Sequence, residues 1–254
     1  MTDRLDGTAA LVTGASSGIG EATARALASH GAAVAVVARR KDRLEKLASD
    51  IEAGGGKALV IEADVTDRGQ ATDAVNRAAI ELGRLDTVVN NAGVMLLGPV
   101  EGAPLEELEL MVSLNVMGLL YVAHAALPHL LKAAEGEPRR VADLVNISSV
   151  AGRTARSGVG VYNLTKWGVN GFTESLRQEV TQRHVRVSVV EPGAVTTELA
   201  LHNRPEVLQQ MAARFANMER MEAGDIADAI AYIVTRPRRM AVNEMLIRPT
   251  EQEL

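Results

Sequence analysis

The chain has 254 residues, 47% of them apolar, with no cysteine and a formal net charge of −5. Disulfides and thiolate metal sites are excluded. Nucleic acid is argued against as a partner, because its phosphates need clustered cations and the basic pieces "ARRKDR" (38–43), "EPRR" (137–140) and "RPRR" (236–239) are short.

Strand-length apolar runs alternate with amphipathic helical stretches. "TAALVT" (8–13) predicts a strand, Gly18 to His30 a helix, "AVAVVA" (33–38) a strand, and 41–53 a charged helix, with Asp42 as its cap. "KALVIEAD" (57–64), a helix over 67–82 and "LDTVVNNAG" (85–93) follow. A helix begins near Pro104, and a long apolar one runs over 113–131. "RVADLVNISS" (140–149) is a strand, 161–183 a helix and "VRVSVVEPG" (185–193) a strand. The polar stretch 198–222 breaks the rhythm as a substrate-loop insertion. A helix over 224–235, N-capped by Asp225, and a strand "NEMLIRP" (243–249) close the chain. This alternation predicts one domain over 1–254: a doubly wound, Rossmann-type parallel sheet with helices on both faces. The start, "MTDRLDGTAALVTG", reads as lacking a leader. No apolar run is expected to reach the roughly 18 residues that span a bilayer, so a cytoplasmic protein without a membrane partner is expected.

"VTGASSGIG" joins the first strand to the first helix. Gly14, Gly18 and Gly20 have the spacing G-x-x-x-G-x-G, which permits a tight turn and close backbone approach, and the helix N-terminus behind them attracts a pyrophosphate. Ser16 and Ser17 add hydroxyls. The alternative is a turn required only for strand–helix packing. At the end of the second strand, where an acid would accept hydrogen bonds from an NAD ribose, stand Ala38, Arg39 and Arg40. Guanidinium forks suit a phosphate, so NADP(H) is expected. The alternative is a solvated helix start. Tyr162 and Lys166 in "VYNLTKWG" (161–168) lie four apart, on one helix face. A neighbouring ammonium favours phenolate and lowers a tyrosine pKa, which tunes the ring for general acid/base work. His30, His124, His129, His184 and His202 make no metal-ligand pattern, and no catalytic metal is expected.

Five motifs stand in order: "TGASSGIG" (13–20), "NNAG" (90–93), "NISS" (146–149), "YNLTK" (162–166) and "PGAVTTE" (192–198). In them the chain resembles the short-chain dehydrogenase/reductase family over essentially its whole length. "NNAGVMLLGPVE" (90–101), "AALPHLL" (125–131) and "IRPTEQ" (247–252) are similar to a bacterial NADP-dependent subgroup that includes clavulanic acid dehydrogenase, without implying that substrate. The resemblance implies a catalytic set of Asn115, Ser149, Tyr162 and Lys166. Ser149 would orient a carbonyl and stabilise the oxyanion, Lys166 would also hold the nicotinamide ribose, and the Asn115 carbonyl would hold a water against Lys166. It implies cofactor contacts at Gly14, Ser16, Ser17, Gly18, Ile19, Gly20, Arg39, Arg40, Asp64, Val65, Asn91, Gly93, Pro192, Gly193, Val195 and Thr197, besides Tyr162 and Lys166. Asp64 would meet the adenine and Thr197 the nicotinamide carboxamide.

The expected activity is NADPH-dependent reduction of an aldehyde or ketone. Oxidation of a 3-hydroxy acid or secondary alcohol is the first alternative, and a non-catalytic NADP-binding regulator the second. Segments 94–101, with Met95, Leu96 and Leu97, 150–158 and 198–222 are expected to line the substrate site. Arg153 or Arg156 would either bind a substrate carboxylate or pack at a subunit contact. Family analogy implies a homotetramer (or homodimer) through helices 113–131 and 161–183, with Trp167 packed or at that contact.

Overall fold

The computed structural model describes residues 4–214 and 218–253. The opening three residues, Leu254 and positions 215–217 of the expected insertion lie outside the described residues. The chain runs β1 (Ala9–Thr13), α1 (Gly18–Ser29), β2 (Ala33–Ala38), α2 (Lys41–Ala53), β3 (Lys57–Glu62), α3 (Arg68–Glu81), β4 (Thr87–Asn90) and α4 (Leu105–Val112). A π-helical turn (Ser113–Gly118) leads into α5 (Leu119–Glu135), then β5 (Ala142–Ile147), α6 (Gly160–Val180), β6 (Val185–Pro192) and β7 (Val195–Thr196). A 3₁₀ turn (Glu198–His202), α7 (Pro205–Arg214), β8 (Met221–Glu222), α8 (Ala223–Thr235) and β9 (Glu244–Ile247) complete it.

Seven strands form one parallel sheet in the order β3-β2-β1-β4-β5-β6-β9, and β7 and β8 form a separate two-stranded ladder. Continuous apolar strands such as "AALVT" and "AVAVVA" suit this arrangement, since both faces are covered. One face packs Leu11, Val88, Leu144 and Val187 against α3, α5 and α6 through Val75, Ala126, Leu130 and Leu176. The other packs Val12, Val36, Val89 and Val145 against α1, α2 and α8 through Leu27, Leu44, Ile226 and Ile230. The chain winds outward from β1 to β3, then returns to β4 on the other side of β1. Crevices at the carboxyl ends of strands form at such a switch point.

Three expectations are corrected. Asp225 does not cap α8. Glu222 is the N-cap and Asp225 its capping-box partner, its carboxylate accepting from the Glu222 N–H at 2.8 Å. Asp42 lies in the first turn of α2, whose N-cap is Arg40 with no side-chain cap bond. There it still favours the positive end of the helix dipole. The continuous helical stretch Leu105–Glu135 is long and apolar enough, by length and composition, to cross a bilayer. Its buried side, including Val122, Ala126 and Leu130, packs in the core on the sheet.

Candidate active site

The glycine turn closes at the carboxyl end of β1. Gly14 and Gly18 take φ of +66° and +55°, the left-handed region open to glycine. A Cβ on Gly14 would stand 2.8 Å from Asn91 Nδ2, and one on Gly20 would overlap the Gly14 carbonyl and stand 2.5 Å from Asn91 Nδ2. The N-cap of α1, Ser17, makes no side-chain cap bond, so no side chain caps the first-turn amides, which suits an anion site. Ile19 packs at the edge of the core behind them.

Arg40 reaches back over this turn. Its Nε donates to Ser16 Oγ at 3.1 Å, one terminal nitrogen to Ser17 Oγ at 2.8 Å and the other to Glu198 Oε2 at 2.8 Å. Arg43 donates to the other Glu198 oxygen at 2.6 Å. The Arg43 and Arg40 guanidiniums hold the Glu198 carboxyl down at about 2. Arg39 is 70% exposed and lies 3.8 Å from Asp64 Oδ2. Asp64 accepts from the Thr66 amide at 3.0 Å and hydroxyl at 2.8 Å. Glu198 is a residue that sequence reasoning passed over. It stands inside "PGAVTTE", but nothing in its spacing announces two arginines more than 150 positions away.

Asn91 ties the second motif to the first. Its Nδ2 donates to the Thr13 carbonyl at 2.9 Å and the Gly14 carbonyl at 3.3 Å. The Asn115 side chain closes a pair of 2.8 Å bonds with the Val94 backbone and donates to Thr165 Oγ1 at 3.3 Å. Its buried amide is thus satisfied. A Cβ on Gly93 would stand 3.2 Å from Asn115 Oδ1, and Val65 packs against Gly118 of the π-helical turn.

Ser149, Tyr162 and Lys166 come together from β5 and α6. Ser149 caps the turn after β5, accepting from the Ala151 N–H at 3.1 Å, and its Oγ is 3.5 Å from the Pro192 carbonyl. Tyr162 is 5% exposed, and its phenol is within hydrogen-bonding reach of Ser149. Lys166 is 6% exposed. Its Nζ donates to the Ile147 carbonyl at 2.8 Å and lies 5.7 Å from the Tyr162 ring centre. Burial dominates both titrations. It pushes the phenol up to about 12, partly offset by Ser149, and pushes the ammonium down to about 8. The expected lowering of the phenol by Lys166 is therefore corrected for the protein alone: burial raises it, and the group that lowers it is Ser149.

Gly14, Gly18, Arg39, Arg40, Asp64, Asn91, Glu198, Ser149, Tyr162 and Lys166 line one cavity of about 510 Å³, together with Gly193, Val195 and Thr197, whereas Gly20, Arg43 and Asn115 lie outside its lining. That is the size range of cofactor and substrate sites. Beyond Tyr162 the wall is apolar, with Met95, Leu97, Leu114, Val159, Leu199 and Met211. Leu96 packs behind it. Arg156, His202 and Arg220 also line it. Arg153 does not serve as a carboxylate anchor. Its guanidinium clasps the fully buried Glu191 at 2.7 and 2.8 Å and also meets Glu244, which raises its pKa further.

The family described as short chain dehydrogenase matches residues 8–207. The chain is 36% identical over 247 residues to an uncharacterized oxidoreductase of Staphylococcus saprophyticus, covering 96% of each chain. Among solved structures it is similar to the closed form of a serine dehydrogenase complexed with NADP⁺, at 29% identity and a TM-score of 0.88, covering 97% of both chains. A short chain dehydrogenase from Burkholderia cenocepacia in complex with NADP is 31% identical with a TM-score of 0.83, covering 96% of this chain and 98% of that one.

Proposed function

The chain belongs to the short-chain dehydrogenase family of oxidoreductases, and from that premise we propose that it is an NADPH-dependent reductase of aldehydes or ketones. The carrying observation is a buried tyrosine, within reach of a serine hydroxyl, lining the same cavity as the glycine turn. The cradle suits NADP(H). Added Cβ atoms at Gly14 or Gly20 would collide with Asn91 and its neighbours, so the turn below the crevice closes only on glycine; the α1 amides favour a pyrophosphate, and Arg40, Arg39, Ser16 and Ser17 offer donors for a 2′-phosphate. Thr197, Val195, Gly193 and Pro192 would border the nicotinamide, and Asp64, Val65, Asn91 and Gly93 the adenosine side. When bound, NADPH supplies the hydride.

Within that reading Ser149 donates to the substrate oxygen, orienting the carbonyl and stabilising charge as it develops. Tyr162 gives its proton to that oxygen. A phenol held at about 12 is protonated at neutral pH, which suits donation in the reductive direction. Lys166, near 8, is still largely charged at pH 7 and stabilises the phenolate left behind. The Asn115 backbone carbonyl is assigned the water that returns a proton through Lys166. The Asn115 side chain keeps that helix fixed against Val94.

Tyr162→Phe is expected to lower carbonyl turnover by about 10²–10⁴-fold while NADPH still binds, followed at 340 nm. Turnover at the parental rate would falsify the mechanism, and no turnover by the parent across a carbonyl panel would favour a non-catalytic NADP-binding regulator. A second substrate reading, a 3-hydroxy or 3-oxo acid, is favoured by Arg156 on the cavity wall. On that reading Arg156→Ala raises KM for acids alone; equal KM values for neutral and acidic substrates in parent and variant would remove it. We assign the enzyme to the cytoplasm as a homotetramer (or homodimer), with α5 and α6 at the contact. The "IRPTEQ" likeness supports the NADP-dependent bacterial subgroup that includes clavulanic acid dehydrogenase.

A further inference from the structure

The segment after β9 carries "PTEQ" (249–252), which the chemistry above does not use. Gln252 is buried and lines the cavity. Its Oε1 accepts from the Ala194 N–H at 2.8 Å. The Gly193 N–H donates to the Ile247 carbonyl at 2.7 Å, and a turn from Pro249 to Gln252 closes at 3.0 Å. The fit allows no side chain at position 193, where a Cβ would overlap Gln252 Oε1 and stand 3.1 Å from Pro249 Cδ. One residue earlier, Glu251 Oε2 accepts from the Glu219 N–H at 3.1 Å.

Ala194 opens the arm that brings Thr197, Glu198 and Met211 of α7 to the cavity wall, and Glu219 lies at its far end. Those ends also hold each other. The Met221 N–H donates to the Ala194 carbonyl at 3.2 Å, and Val195 pairs with Met221 and Thr196 with Glu222. Two consecutive side chains therefore grip the arm at both of its roots. We propose that Gln252 is a positioning residue, with Glu251 as its companion: together they clasp the base of the arm and, through Ala194, fix the turn that presents Val195 and Thr197 to the cofactor. The inference rests on the NADPH reading. A carboxamide is the apt acceptor at position 252, because it takes the Ala194 N–H without adding negative charge beside an anionic cofactor.

Gln252→Met keeps the volume and removes the acceptor. In the cofactor-free protein, amide exchange at 194–197 is expected to quicken by about tenfold, the loss of one buried hydrogen bond, with exchange at 13–20 unchanged. NADPH titrated by fluorescence is expected to bind several-fold more weakly. Parental exchange at 194–197 overturns the clasp, whatever the cofactor is. Faster exchange with parental NADPH affinity overturns the positioning role. A parent that binds no NADPH refutes the cofactor reading instead, and exchange alone then decides the clasp. Should Gln252→Met not fold, Glu251→Ala, at an exposed position, tests the other grip: faster exchange at 218–221 is expected, and parental exchange there sinks the proposal.

Discussion

At the scale of the residue, adjacent arginines take different parts. Arg40 meets Ser16, Ser17 and Glu198 at hydrogen-bonding distance, whereas Arg39 extends into solvent with one long ionic contact. Cofactor preference is therefore expected to rest on Arg40 more than on Arg39. Arg40→Ala should lower the ratio of kcat/KM for NADPH over NADH by about 10–100-fold, a charged hydrogen bond's worth, and Arg39→Ala by less. Equal losses in the two variants would contradict that ranking. Lys166 gives a pH signature. Its folded pKa, about 8, lies below its ordinary value of 10.5, so between those pH values the unfolded chain binds the extra proton and stability rises with pH. The rise amounts to roughly 3 kcal/mol at full extent. Tyr162 acts oppositely. Its raised folded value, about 12 against 10.0, makes stability fall from pH 10 to 12. Urea denaturation of the cofactor-free Lys166→Met variant should lack the rise between pH 8 and 10 that the parent shows. A parallel rise in both would mean other groups cause it. The tyrosine, lysine and serine were legible in sequence because motif spacing carries them. Glu198, Gln252 and the Arg153–Glu191 pair were not, because their partners are 38 to 158 positions away and local pattern carries no such distance.

At the scale of the element, the strand–helix alternation could be read because apolar strand runs and helical periodicity have different periods. Boundaries slipped where side chains intervene. β3, expected to reach 64, ends at Glu62, and the Asp64 N–H turns to Gln70 Oε1 at 2.9 Å. β4, expected over 85–93, keeps only Thr87–Asn90 in the ladder, because Asn91 and Ala92 donate to Thr13 Oγ1 at 3.0 and 3.1 Å. The long apolar helix was expected to start near Ser113. Helix runs continuously through that point from α4, and Ser113–Gly118 is a π-helical turn. Six residues of π-helix leave no periodic trace in a sequence. Its position has a physical sense, since such turns occur where a helix must present a side chain out of register. Here it delivers Asn115 to Val94 and brings Gly118 against Val65. The 198–222 stretch looked irregular in sequence because a 3₁₀ turn, a ten-residue helix and a two-residue strand replace the strand–helix units that precede it.

At the scale of the whole molecule, the two-sided packing of the sheet leaves apolar side chains of α6 exposed in a single chain. On α6 the exposed positions are Gly160, Leu164, Trp167, Gly168, Gly171, Ser175, Gln178 and Glu179, and those from Leu164 to Ser175 are spaced as one helical stripe. Trp167 is 51% exposed and Leu164 64%, and added Cβ atoms at Gly168 and Gly171 would meet nothing within 4 Å. On the preceding apolar helices Leu105, Leu110, Val112 and Met117 are also exposed. A stripe of small residues beside a large ring lets a second helix approach closely and cover the ring. Apolar area removed from water at about 25 cal/mol per Å² then favours association, and oligomers of identical chains close by pairing like surfaces across a twofold axis. Trp167 is the chain's only tryptophan, so it reports on this face without labelling. If α6 lies at the contact, Trp167 emission in the parent should be blue-shifted, and dilution should move it to the red in step with a fall in mass by light scattering. Trp167→Arg should yield a smaller species at concentrations where the parent is a tetramer or dimer. Emission typical of a water-exposed indole at all concentrations, or an unchanged mass for Trp167→Arg, would count against α6 as a contact surface.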